Sequence, residues 1–319
     1  MIRNQRLIMT VKKISCWIAL LFFVLSSSVS VAKVTPSDVF ARLALADQHL
    51  DKILFERNIK NGELETIEKG LEPMHVYQMI MACSDLLRNI QLKEGLRPFP
   101  IMAVAPMKYT PADVLLLAEI IENQIERVAE HSQIETSGSL YSYNQKTPTD
   151  VFEKALNVFV KLMKLSGAKN ISPNVAYSQM ARAVTDAEYI LVNIDAYSRY
   201  RNDAPISAAG LTPTDVYQRA LQVRQTINAV RKFYQLPIIP IPAFDGDKKS
   251  PRDVFIQSQI IIAELNIIKL ATNTFNITPV PIPVSGKKPT NVHQKVSQID
   301  YLMKQISSLT AIVAQSKQK

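Results

Sequence analysis

A six-residue cassette, Thr/Ser-Pro-x-Asp-Val-Phe/Tyr, recurs along the chain and constrains its fold more than any other feature. Full or nearly full copies begin at Thr35, Thr110, Thr147, Thr212 and Ser250, and degenerate ones at Glu72, Ser172 and Lys288. Successive starts lie 37, 38, 37, 25, 40, 38 and 38 residues apart. A period of that size marks a repeat architecture in which each unit is one supersecondary element.

Every position of the cassette has a physical role at the start of a helix. The hydroxyl of Thr or Ser accepts from an otherwise unpaired N–H of the first turn. Proline suits the first helical position, where no N–H is needed. Asp three residues past the cap reaches back to the cap N–H and closes a capping box. Thr35, Thr110, Thr147, Ser172, Thr212 and Ser250 are therefore read as structural N-caps. Asp38, Asp113, Asp150, Asp215 and Asp253 are read as capping groups and not as a metal or acid–base array. The same slot is held by His75, Val175 and Asn291, which a coordinating site would not obviously tolerate.

Val and the aromatic residue then open an apolar stripe. In the sixth copy it runs Val216, Ala220, Val223, Ile227, Val230 and Tyr234, alternating steps of three and four. That is the seam of a helix bundle. The third and seventh helices are the most apolar and are expected to be the most buried of their groups.

The one short spacing falls in the middle of the chain. Starts one to four map onto starts five to eight with offsets of 137, 140, 140 and 141 residues. The expected fold is all-α: an eight-helix repeat protein built of two tandem, related four-helix-bundle modules, 33–168 and 169–319, with long Pro-rich extended connectors. The connectors 95–109, 235–249 and 276–288 are Pro-spaced and apolar. Twelve extended residues span about 40 Å, more than the ~33 Å of a 22-residue helix, so such a connector can return along a bundle. Most helices of a module are then expected to start at the same end. Only 166–171 is too short for this, which makes the fourth and fifth helices expected antiparallel neighbours.

Residues 1–32 read as a secretory signal peptide. Arg3, Arg6, Lys12 and Lys13 precede the apolar run 16–25, and Ser30 and Ala32 offer a small-x-small cleavage site. The expected product is periplasmic or secreted after cleavage near Ala32, with membrane contact only through an uncleaved signal. Of 37 Lys and Arg, four leave with this segment and none of the 28 acidic residues does, so the mature chain carries +5. So mild a charge, without a basic stripe, gives no footing for nucleic acid. Cys83 is then the only cysteine, and its helical spacing from apolar neighbours suggests a buried, inert thiol.

No phosphate-binding loop, nucleophile elbow or metal-ligand spacing is present. His49, His75, His131 and His293 form no helical ligand pair. Glu119, Glu122 and Glu126 read as solvated ion pairs near Arg127. No catalytic, metal-binding or cofactor-binding residue is therefore named, and no cofactor is expected. The connector aromatics Phe99, Tyr109, Tyr141, Tyr143 and Phe244 are the candidates for contact with a partner or ligand. The expected function is that of an exported, non-catalytic helical-repeat protein serving as a protein-binding, scaffold or sensor-accessory module. Its partner would be another protein of the cell envelope or a small ligand. One alternative is a periplasmic small-molecule binder with a cavity in one module; another is an enzyme whose site is not visible in sequence.

Overall fold

A computed structural model describes residues 33–60, 69–136, 138–195 and 204–316. The signal-peptide segment lies outside the described residues. Among those described there are eight helices and no strand: α1 (Pro36–Glu56), α2 (Pro73–Lys93), α3 (Pro111–His131), α4 (Pro148–Leu165), α5 (Pro173–Ile194), α6 (Pro213–Phe233), α7 (Pro251–Ala271) and α8 (Pro289–Ser316). Each begins on a cassette proline.

The capping geometry explains why. The Thr110 N–H donates to Asp113 Oδ2 at 2.7 Å, while the Asp113 N–H donates to Thr110 Oγ1 at 3.4 Å. Thr147, Thr212 and Ser250 repeat this exchange with Asp150, Asp215 and Asp253. Hydrogen bonds from the capping residue hold Asp38, Asp113, Asp150 and Asp215 below the usual carboxylate range. In α2 a histidine does the work, His75 Nδ1 accepting the Glu72 N–H at 3.0 Å. Ser172 occupies the cap position of α5 without a side-chain cap bond; Val175 stands where a carboxylate would reciprocate.

All four helices of a bundle start at one end. Pro36, Pro73, Pro111 and Pro148, with Val39, Val76, Val114 and Val151, surround one axial depression. Pro173, Pro213, Pro251 and Pro289, with Ala176, Val216, Val254 and Val292, surround another. Both bundles are therefore all-parallel, and their internal connectors are end-to-end crossovers. The packed neighbours run α1–α4–α2–α3 around the first bundle and α5–α8–α6–α7 around the second, the same order. The third cassette position helps stitch this ring. In four helices its side chain accepts the backbone N–H that immediately precedes a neighbouring cap: Ser37 from Lys146, Thr149 from Leu71, Thr214 from Lys249 and Asn174 from Lys287.

The two bundles lie side by side and antiparallel. Near the start of α2, Gln78 bonds Gln259 of α7 at 2.9 Å, and the earlier His75 faces the later Glu264. Helix α7 belongs to both cores. Phe255, Ile256, Ile260 and Ala263 pack into the first, and Val254, Ile261, Ile262, Leu265 and Ile268 into the second. This is why α7 is buried nearly all round. It is long and apolar enough to cross a membrane, yet 83% of its apolar window is buried inside the protein.

Two expectations need correction. In the first bundle α2, not α3, is the most buried helix: it buries thirteen residues against eight, and Leu116 of α3 is exposed. The reason is that α2 is wedged between its own bundle and α7. Helices α4 and α5 do run in opposite directions, but they are not among the helix pairs that pack closely. They diverge around a cavity that both line.

Candidate functional site

The seam between the bundles is built from polar side chains that grip extended connectors. Helix α5 places Asn174, Ser178, Arg182 and Asp186 at four-residue intervals, which keeps them near one face. Asn174 accepts the Lys287 N–H at 2.8 Å; Ser178 Oγ donates to the Ile282 carbonyl at 2.8 Å and Arg182 Nε to that of Pro279 at 2.5 Å. Below them Lys269 Nζ donates to Asp186 Oδ1 at 2.7 Å, to the Asn276 carbonyl at 2.8 Å and to Thr278 Oγ1 at 3.1 Å. Thr278 Oγ1 in turn donates to Asp186 Oδ2 at 2.8 Å. Burial pushes the Asp186 carboxyl up and the Lys269 ammonium down, and their mutual attraction opposes both shifts. Pro279, Pro281 and Pro283 have no N–H to satisfy, so the connector can lie against protein along its length.

Anchored in this way, connector 272–288 turns apolar side chains outward. Phe275, Ile277, Val280 and Ile282 are 68%, 52%, 45% and 74% exposed. The Thr278 N–H donates to the Val104 carbonyl at 3.1 Å, joining this connector antiparallel to 94–110. The second connector adds exposed Ile101 and Met107. The result is a ribbon of two extended segments, bridged at Val104 and Thr278, each of which carries exposed apolar groups.

Beside the ribbon lies a cavity of about 230 Å³, lined by α2, α4, α5 and connector 272–288. Among the described residues, Asp85 is the single titratable side chain in its lining. Burial raises the Asp85 carboxyl to about 6, against the pull of Arg182 and Arg88. Its Oδ2 has no hydrogen-bond partner, and Arg182 Nη1 stands 4.0 Å away.

Helix α6 grips connector 234–250 by the same device. Arg224 donates to the Pro240 carbonyl, Gln257 and Glu264, and Arg231 to the Pro237 carbonyl and Glu72. Asn228 exchanges two hydrogen bonds with the Ile239 backbone. Gly70, at φ +89°, passes so close to Pro240 that a Cβ would stand 3.0 Å from the ring. His75 sits in this node fully buried. Burial first, and then the Arg224 and Arg231 charges, hold its pKa down to about 3.

The five connector aromatics do not converge. Phe99 is buried, its N–H held by Gln91. Tyr109 is buried and stacks on Tyr77 at 3.9 Å, its hydroxyl donating to the Ala105 carbonyl. Tyr143 meets Phe40 edge-on, Tyr141 is exposed and Phe244 is half-buried. The seam residues that do gather come from α5 and α7 and grip the connector whose Pro-spaced apolar alternation, "NITPVPIPV", was the available signal. The reading of Glu122 as solvated is also corrected. Glu122 is buried, and its partner is Arg42 of α1 at 3.4 Å, because α1 packs on α3; Arg127 instead bonds Gln124 and the Arg97 carbonyl. Cys83 is buried, and burial pushes its thiol up.

Comparison with known protein families, curated proteins and solved structures finds no match to this chain.

Proposed function

We propose that the chain is an exported helical scaffold of the cell envelope that binds a protein partner, without catalysis, along the ribbon of connectors 94–110 and 272–288. The observation that carries this reading is the exposure of Phe275, Ile277 and Ile282 on a backbone anchored by Ser178, Arg182 and Lys269. Apolar groups on a preorganised backbone lose little conformational freedom on docking. Contiguous exposed apolar surface is also where partners bind. The signal-like residues 1–32 support export to the periplasm or beyond the cell. The test is a photo-crosslinking residue at Ile277 or Ile282 in living cells, followed by fractionation. A discrete adduct in the envelope fraction, lost on Phe275→Asp, is the expected outcome. A folded protein with no adduct at either position, or one retained in the cytosol, refutes the reading.

A second reading, a small-molecule binder, is favoured by the cavity at Asp85, which lies between the bundles and not inside one. An amphipathic amine would suit a buried carboxylate beside apolar walls. A ligand-induced rise in Tm that Asp85→Asn abolishes would support it.

A further inference from the structure

Outside the seam, α1 and α3 bring together three groups far apart in sequence. His49, Glu122 and Glu126 each offer a ligand atom, and these atoms lie within 4.8 Å of one another. The two glutamates are four residues apart on α3 and so share a face. His49 is 2% exposed, and its Nδ1 has no hydrogen-bond partner. That nitrogen points toward Glu126 Oε1 at 3.8 Å. An unpartnered ring nitrogen at such depth costs free energy unless something engages it.

The charge in this corner is unbalanced. Glu119, Glu122 and Glu126 face a single guanidinium, that of Arg42, at 3.3 Å from Glu119 and 3.4 Å from Glu122. Burial raises the Glu122 carboxyl and repulsion from Glu126 adds to it, while Arg42 only partly offsets them. An imidazole and two carboxylates whose ligand atoms already gather form a ligand set for a divalent metal.

The second bundle shows what the same place contains when it carries its own cation. Ala129 and Lys269 both stand eighteen residues past the first proline of their helices, α3 and α7. In the second bundle the Lys269 ammonium fills the pocket and binds Asp186. In the first, Ala129 supplies no charge, and Arg42, which reaches Glu119 and Glu122, stands in for it only in part.

We propose that His49 Nδ1, Glu122 and Glu126 bind one divalent transition-metal ion of the zinc class, clipping α1 to α3. Imidazole suits zinc and its neighbours in the first row, while magnesium and calcium prefer oxygen alone. With bonds of about 2.0–2.2 Å, tetrahedral ligands stand about 3.4 Å apart. The cluster must therefore tighten, and Glu126, 38% exposed, has room to turn inward. Three protein ligands leave a coordination position for water.

The test uses the whole chain, stripped with EDTA, dialysed and titrated calorimetrically with zinc chloride, with magnesium and calcium chloride in parallel. Expected are one zinc ion per chain and no competing heat from the other two. Glu126→Gln, a change at a half-exposed position, should bind at least about tenfold more weakly. His49→Gln should do the same, and its circular dichroism checks the fold. His131→Ala and His293→Ala should bind as the parent does. Absence of zinc binding, equal binding by Glu126→Gln, or loss in His131→Ala or His293→Ala would overturn the assignment.

Discussion

His49 of α1 and Asp186 of α5 each lie thirteen residues past the proline that opens their helix. Each is met by the crossover that follows the third helix of its bundle. Thr278 of the second crossover and Gly138 of the first stand twenty-seven residues past Pro251 and Pro111. Around Asp186 the polar groups interlock: Lys269, Thr278 and Asn266 hydrogen-bond across a fully buried corner. Around His49 they do not. Gly138 brings no side chain, and a Cβ there would stand 2.9 Å from His49 Nε2. Two bundles with one helix order thus treat corresponding pockets in opposite ways, closed by an internal ion pair in the second and lined in the first with acids and an imidazole whose Nδ1 has no hydrogen-bond partner. The cassette and the ring of packed helices determine where a side chain goes. They leave its chemistry free to differ from one bundle to the other.

The contrast can be broken most strongly in the closed pocket. Lys269→Ala strands Asp186 as a buried, unpaired carboxylate, an expected loss of about 3–5 kcal/mol. Urea denaturation measures it. A much smaller loss would mean that water enters the pocket and that the two corners differ less than their geometry implies. Gly138→Ala drives a methyl group into Leu45 and His49, with an expected cost of about 2 kcal/mol. The same measurement reads it, and a neutral result would make the first pocket looser than the second.

Acid sharpens the comparison by separating both pockets from the seam. His75 has a folded pKa of about 3 against 6.5 unfolded, so below pH 6.5 the unfolded chain binds a proton that the folded chain refuses. The His75 contribution to stability then falls by about 1.4 kcal/mol per pH unit between about 6.5 and 3, opposed between about 6 and 3.8 by Asp85, whose raised carboxyl takes up a proton more readily in the folded chain. His75→Asn should flatten that limb and still cap α2, since Asn291 in the same slot accepts the Lys288 N–H at 2.9 Å. The limb would persist if it arose from the His49 corner instead. The smallest effect compares caps across the bundles. Thr110→Ala should cost about 1 kcal/mol, whereas Ser172→Ala, which breaks no cap bond, should stay within a few tenths. Thermal unfolding of the two variants side by side decides it.

Helix positions were legible because their signal is local. Thr, Pro and Asp act within one turn, and all eight cassettes open helices. The crossovers were legible from connector length alone. What packs on what was not. That α7 serves both cores depends on which face of α2 it meets, and no residue of α7 names its partner. The same holds for the His49 corner, whose histidine lies 73 residues before the nearer of its two glutamates, so that no spacing rule joins them. Carrying the 137- and 140-residue offsets through the helices would have aligned His49 with Asp186 and Glu126 with Asn266, flagging the corner before any coordinates. The exposed ribbon was hinted at by composition, but the aromatics singled out by size mostly serve their own bundle.

The parallel arrangement of each bundle has an electrical consequence. A helix carries roughly half a positive charge at its amino end and half a negative charge at the other, and four aligned helices repel where an up-and-down bundle would cancel. Carboxylates at the helix starts of the first bundle, Asp38, Asp113, Asp150 and Glu72, soften this at one end. Basic groups in the last turns, Lys93, His131 and Lys164, soften it at the other. Antiparallel docking sets the amino end of one bundle beside the carboxyl end of the other, so the two macrodipoles offset each other. Each bundle is the other's counter-field, which gives the pair an electrostatic reason to stay together beyond the apolar surface of α7.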